Sequence, residues 1–492
     1  MRVRWTDTCA TRRSAGARSS GTPACNRTEA RASRGGHVPA PAKARYPPLF
    51  GARVKPGAHQ PGDRFVQARH SPPTRIALPV GFIVVLGLLA GLPPLSIDIS
   101  LPGLPAIGAE LGATDSQMQA TLGAFMLTFG FGQLAWGPLS DRHGRLRVIL
   151  LGLAVYVAAA VACTLAADGA ALIGWRAVQG FGASAASVAG IALVRDVFPQ
   201  PQQRATIQSF IVAVLSLAPI VAPLIGAFVI HAVGWRGLFA VLAGAGVLLA
   251  VIVGISLRAG RLRALRGVQP TGPASDDAGA GQPIHEGAGR PAGYRAFLAL
   301  PHARALSCAL GVVFCGMFVF ISGSPFVLID GMGVSSPVYA IAFALASAAV
   351  LAGSLATARL SQRGVPPQRV LYAGVRGAAC AGLAALAVGL ALRGAHGQWW
   401  EIAVFVVAMA ASLFFGGFIM PAIFALGLQD AGAMAGVGAA VLGASQMLGG
   451  ALGSTAVGAL PVEPIVAVGA LAALCGVTIW IIARVTFGRT SS

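Results

Sequence analysis

The stretch Gly137-Pro138-Leu139-Ser140-Asp141-Arg142-His143-Gly144-Arg145-Leu146-Arg147 decides the fold of this chain. It is short, basic and bounded by glycine, and it separates two runs, 120–136 and 148–166, that carry no charge. Apolar runs of this kind approach the roughly 20 residues that a helix needs to cross a bilayer. A charged turn between two spanning helices must lie in water, and its arginines put it on the cytoplasmic side.

The rest of the composition agrees. Of 492 residues, 55% are hydrophobic and 11% charged, with a mean hydropathy of +0.73. Soluble domains carry about 25% charged residues, and a soluble fold cannot hide so much apolar surface. The apolar runs are continuous, whereas barrel strands alternate over about ten residues. An integral membrane protein built of helices is the expectation.

The formal charge of +20 does not mark a nucleic-acid binder. Residues 1–76 hold fifteen Lys and Arg against three Asp and Glu, and the remainder holds twenty-one against thirteen, mostly in short loops. That distribution is orientation information. The cysteines, Cys9, Cys25, Cys163, Cys308, Cys315, Cys380 and Cys475, show no metal-ligand spacing and read as small buried hydrophobes.

Residues 1–76 are rich in Arg, Pro, Gly and Ser and poor in large apolar side chains. They are expected to be a disordered basic tail, or a stretch upstream of the true start. No apolar core follows the first arginines, so a secretory signal is not expected. From residue 77 twelve segments follow: 77–101, 117–136, 148–166, 171–193, 207–231, 234–257, 303–327, 338–358, 368–392, 400–424, 433–457 and 465–484. The loops at 102–116, 167–170, 328–337 and 458–464 contain acids but no Lys or Arg. The alternate loops carry arginines, with Arg236 and Arg393 as exceptions. Both termini and the long middle loop are therefore expected in the cytoplasm.

The break at 258–302 reads as a flexible linker between two six-helix bundles, 77–257 and 303–485, with a short tail at 486–492. The stretch Ala358-Arg359-Leu360-Ser361-Gln362-Arg363-Gly364 is a degenerate copy of the opening turn without its aspartate. Half-to-half symmetry of this kind is typical of transporters.

Charge inside a membrane is costly and points to function. Asp98, late in the first segment, is the leading candidate: a titratable carboxyl facing a central cavity, or a group wetting the outer helix end. Arg176, in the fourth, is either a cavity residue or a structural arginine, and Gln179 follows it by one turn. Arg376 is expected to snorkel to the interface. In the eleventh, Gln446 faces the cavity or bonds across helices. Pro219, Pro223 and Gly226 give the fifth helix a bend or a close contact. Phe125, Phe129 and Phe326 are candidate cavity aromatics. No phosphate-binding loop, metal-ligand set or catalytic cluster is present, so no enzyme, cofactor or metal is expected.

At this point the residues carry a resemblance. Gly137, Asp141, Arg142, Gly144 and Arg145 stand in register with the loop signature of the major facilitator superfamily. Arg176, Gln179 and Gly180 resemble its fourth-helix signature. Pro223 and Gly226 resemble the fifth-helix signature of its proton antiporters, with Ala222 and Ala227 where glycine is usual. Leu95 to Pro105, Val194-Arg195-Asp196, Gly234-Trp235-Arg236, Ser324-Pro325-Phe326 and Ala435-Gly436 with Gly443 and Gln446 resemble the bicyclomycin-resistance (Bcr/CflA) branch.

The resemblance implies an all-α fold of twelve transmembrane helices in two pseudo-symmetric bundles. It implies a bacterial inner-membrane exporter of drugs or other amphipathic compounds, driven by inward proton flow through alternating access. Export of an endogenous metabolite is the alternative, and a non-transporting membrane sensor a third reading. The expected partners are small molecules, protons and lipid, with no nucleic acid, and the chain is expected to act as a monomer. Asp141 is expected to latch the cytoplasmic gate by meeting Arg195 or the N-terminal end of the eleventh helix.

Overall fold

A computed structural model describes residues 80–197, 201–258, 292–431 and 434–487. The expected tail at 1–76 and most of the expected linker lie outside the described residues. In chain order the helices are α1 (Val80–Asp98), α2 (Leu104–Leu111), α3 (Asp115–His143), α4 (Arg145–Thr164), α5 (Gly169–Val197), α6 (Pro201–Val233) and α7 (Arg236–Arg258). They continue with α8 (Ala292–Leu298), α9 (Ala303–Pro325), α10 (Ser336–Gln362), α11 (Pro367–Ala391), α12 (Trp399–Gln429), α13 (Ala435–Ala459) and α14 (Pro464–Phe487). Apart from the short α2 and α8, these are the twelve expected segments, now 19 to 33 residues long. Several run past the apolar stretch because a helix end projecting into headgroups and water is still held by its own backbone hydrogen bonds.

Eleven of the twelve are long and apolar enough to cross a membrane. The other, α3, has the length but carries Gln117, Gln119 and Gln133 as well as charged ends. It lies between α5 of its own bundle and α13 of the other, so less of its surface has to satisfy lipid. Its start is fixed by a capping box, in which the Thr114 hydroxyl accepts from the Gln117 amide and the Gln117 side chain accepts from the Thr114 amide.

The two halves repeat one packing pattern. In the first, α3 packs on α5, α4 on α5, α4 on α7, and α1 on α6. In the second, α10 packs on α12, α11 on α12, α11 on α14, and α9 on α13. Shifting each spanning helix by six positions converts one set into the other. The two main contacts between halves, α3 with α13 and α6 with α10, are likewise exchanged by that shift. The sequence showed this symmetry only at one turn, because packing partners need complementary surfaces rather than identical residues.

The opening turn is much shorter than its sequence suggests. Helix α3 continues through His143, so Gly137 to His143 are helical, and the chain reverses at Gly144 alone. Gly144 has φ 92°, a conformation closed to most L-residues. Gly364, at the equivalent place in the second half, has φ 76°.

At the acidic-loop end, the exceptional Arg236 is explained by a partner. It pairs with Glu110 of α2 and lies over the Trp235 ring at 4.3 Å, while the Trp235 indole donates to the same carboxylate at 2.7 Å. Orientation follows the overall Lys and Arg bias, and this one arginine is outnumbered by those of the alternate loops. Arg393 and Arg376 are exposed.

Candidate functional site

Two polar systems lie inside this apolar structure, on opposite faces of α1. The first occupies the interior of the N-terminal bundle. Arg176 of α5 is 1% exposed, with its guanidinium 4.6 Å from the Phe125 ring centre and 5.9 Å from that of Phe239. Its Nη1 donates to Gln179 Oε1 at 2.8 Å, one turn along the same helix. The Tyr156 hydroxyl on α4 lies close to both Arg176 and Gln179. Tyr156 in turn shares a 2.7 Å hydrogen bond with Ser96, whose hydroxyl reaches the Leu92 carbonyl of α1 at 2.6 Å. Polar groups of α5, α4 and α1 thus gather in one buried cluster. It is incomplete: Arg176 Nε and Nη2 and Gln179 Nε2 are buried without a hydrogen-bond partner. Buried donors without a protein partner are expensive and call for an explanation other than stability.

The second system lies at the seam between the bundles. Asp98 follows Ser96 by two residues, about 200° around the helix, so the two side chains leave α1 on opposite faces. Asp98 is 4% exposed, and no hydrogen bond or ion pair reaches its carboxylate among the described residues. It lies within electrostatic range of Tyr339 on α10, in the other half. Tyr339 is fully buried, 3.1 Å from the Ser324 hydroxyl and packed on Phe343. Nearby, two hydroxyls bond across the seam: Ser336 to the Pro102 carbonyl at 3.3 Å, and Ser454 to the Gln119 carbonyl at 2.8 Å. Both bonds are at the acidic-loop end.

The candidate residues therefore do not form one cluster. Asp98 belongs to the seam, and Arg176 with Gln179 to the bundle interior. Gln446 is half-buried on α13, with its amide 3.4 Å from the Met420 sulfur of α12. Phe125 and Phe129 stack on each other, 6.3 Å apart and buried, and Phe326 is buried at the turn after α9. Helix α6 is continuous through Pro219 and Pro223. Gly226 touches the end of α1: a methyl there would overlap the Ile99 carbonyl oxygen and come within 3.1 Å of the Pro102 ring. At the other end of the seam, Asp141 is 63% exposed and pairs with Arg145, one turn later across Gly144. Arg145 also bonds the Ser140 hydroxyl at 2.6 Å. Arg142 is exposed, and the side chain of Arg195 lies outside the described ones.

Sequence reading missed Tyr156 and Tyr339, and gave Ser96 and Ser324 only as parts of matched stretches, without a site role. The chain has five tyrosines, and a tyrosine inside an apolar run must find a partner for its hydroxyl. That was the available signal. Serine carries none, because it is common in spanning helices and usually bonds its own backbone.

Comparison with known proteins follows the same lines. Residues 81–454 match the profile of the Major Facilitator Superfamily. The chain is 30% identical over 391 residues to the uncharacterized MFS-type transporter YdgK of Bacillus subtilis, covering 79% of this chain and 90% of that protein. It is 38% identical over 172 residues to a bicyclomycin resistance protein homolog of Haemophilus influenzae, and 39% identical over 148 residues to a chloramphenicol resistance protein of Pseudomonas aeruginosa. Those matches span 35% and 30% of this chain, and 43% and 35% of the two relatives. Among solved structures, a bacterial homolog of the human lysosomal transporter Spinster, in an inward-facing, unoccupied conformation, aligns with a TM-score of 0.63 at 16% identity, covering 83% of this chain and 98% of that one. A D-xylose-proton symporter aligns with a TM-score of 0.58 at 14% identity, covering 81% and 96%. With twelve long helices, a packing pattern that repeats after six of them and a family match across most of both halves, this chain belongs to the major facilitator superfamily of membrane transporters.

Proposed function

We propose that the chain is a proton-coupled exporter of drugs or similar amphipathic compounds in a bacterial cytoplasmic membrane, of the bicyclomycin-resistance type. The observation that carries this reading is Asp98: a carboxyl buried at the seam between two bundles with no bonding partner among the described residues. An unpaired carboxylate cannot stay charged in such a place without large cost. The seam closes over a neutral, protonated Asp98 and resists closing over a charged one. A proton taken up from outside therefore permits the outer side to shut, and its loss to the cytoplasm from the inward-open state favours reopening of the outer side.

With the arginine-rich loops in the cytoplasm, the seam bonds at Pro102 and Gln119 lie on the outer side and help to hold that side shut. Asp141 and Arg145 serve the inner gate in the opposite state. The opposite face of α1 is held by the Ser96–Tyr156 bond, beside Gln179 and Arg176, so a shift of α1 at Asp98 displaces the cluster around the buried guanidinium. That link makes Arg176 the second group of the coupling machinery. The drug-resistance names of the bacterial relatives support the cargo class.

The test uses everted vesicles holding a pH gradient. Addition of a substrate such as chloramphenicol should release protons with the wild-type chain and not with Asp98→Asn. Unchanged release by the variant removes Asp98 from the mechanism. A susceptibility panel on overexpressing cells, with and without an uncoupler, tests the cargo class.

A further inference from the structure

We propose that the α1–α3 connection, residues 99–114, is the lip of the gate at the acidic-loop end, and that Glu110, Trp235 and Arg236 are the positioning residues that aim it. The inference rests on the alternation of the two halves proposed above, not on its cargo or its proton. The connection carries contacts to the C-terminal half. Its Pro102 carbonyl accepts from Ser336 of α10 at 3.3 Å. The turn Leu101–Gly103 lies against α9 and α10, and α2 lies against the turn after α9, Phe326–Gly331. Closure at this end therefore depends on where the connection stands on its own bundle.

That bundle holds the connection from behind at three places, on α6, on α7 and at the corner between them. A methyl on Gly226 would overlap the Ile99 carbonyl oxygen. A methyl on Gly103 would stand 3.0 Å from Ile230 and 3.2 Å from Leu238. These two contacts limit approach but set no direction, because apolar packing is non-directional. The third contact is directional. Glu110, near the far end of α2, takes the Trp235 indole N–H at 2.7 Å and pairs with Arg236, which lies over the same indole ring. Pro102 and Pro105 stiffen the chain between. Helix α2 is thus a lever of about 10 Å, at 1.5 Å per residue, with Gly103 as its pivot. Pinning Glu110 at one end aims the Pro102 carbonyl at Ser336 on the other. Releasing it lets the lever swing and the seam bond lapse. Glu110 and Arg236 are half-exposed, so their pairing adds little to stability. Two donors on one carboxylate add precision of aim instead.

The test is the rate of maleimide labelling of S116C in the purified full chain, in lipid nanodiscs, with all seven native cysteines replaced. Ser116 packs across the seam on Gly458 of α13, where a methyl would stand 2.6 Å from the Ser116 Cα. E110A and R236A should each raise the rate at least threefold. The double variant should exceed the larger single by little, because either change removes the same contact. S336A breaks the seam bond itself and should raise the rate as well. A parallel chain keeps only the buried Cys163 of α4, whose labelling should stay at background in every variant. An unchanged rate in E110A while S336A opens the seam overturns the positioning role. Silence in S336A too overturns the alternation at this seam, and the gate role with it. Additive effects of E110A and R236A overturn the shared contact. Labelling of Cys163 in step with S116C makes the pair a brace of the fold, and overturns the proposal.

Discussion

Replacing Arg176 with leucine separates a functional arginine from a structural one. The loss side of the change is modest. The charged hydrogen bond to Gln179 Oε1 at 2.8 Å is worth about 1.5–3 kcal/mol. Attraction to the Phe125 and Phe239 faces, at 4.6 and 5.9 Å, adds about 0.5–2 kcal/mol. On the gain side, an unpaired cation leaves a site where two of its nitrogens have no partner, and the effective cost of such burial is several kcal/mol. These terms are of similar size and opposite sign, so Arg176→Leu should change stability by no more than about 2 kcal/mol in either direction. Transport should nevertheless be lost. Thermal denaturation in detergent, read by a thiol-reactive dye reaching the buried Cys163 and Cys475, measures the first outcome, and drug-driven proton release measures the second. Gly226→Val supplies the scale, since its side chain must force α6 away from the Ile99 carbonyl. If Arg176→Leu melts as early as Gly226→Val, the guanidinium is a structural strut and the reasoning is refuted.

Four further outcomes follow from the same geometry. Gly226→Ala should destabilise by about 1–3 kcal/mol through overpacking, with Gly226→Val worse; an unchanged melting midpoint for both would show that α1 and α6 are not in tight contact. Tyr339→Phe keeps the ring against Phe343 but removes the 3.1 Å bond to Ser324, so it should cost about 1 kcal/mol and shift the pH dependence of transport; a profile identical to wild type would uncouple Tyr339 from Asp98. Asp141→Asn breaks an exposed pair with Arg145, so the melting midpoint should hold to within about 1 kcal/mol while transport falls; undiminished transport assigns the turn to membrane insertion alone. Ser454→Ala removes a hydroxyl that bonds across the seam to the Gln119 carbonyl and should shift accessibility labelling near Ser116 towards the outward-open pattern; unaltered labelling would mean the bond does not hold the seam.

The sequence by itself determined the class of the protein, the number of spanning helices and the ends at which the arginines gather. Those follow from the cost of placing charge and unbonded backbone in hydrocarbon, which is written residue by residue and needs no partner. It also singled out Asp98 and Arg176, because buried charge is rare enough to be seen in a list of residues. Only the tertiary structure decided that these two do not share a cavity. Ser96 and Asp98 are neighbours in the chain, yet one turns into the N-terminal bundle to meet Tyr156 and the other turns out to face Tyr339. Which face of α1 meets which bundle is set by packing against α4, α5, α6 and α10, and no single segment encodes it. The opening turn shows the same division. Its arginines and Gly144 were legible as a charged reversal, whereas the helical course of Gly137 to His143 and the pairing of Asp141 with Arg145 emerged only once α3 and α4 were set side by side.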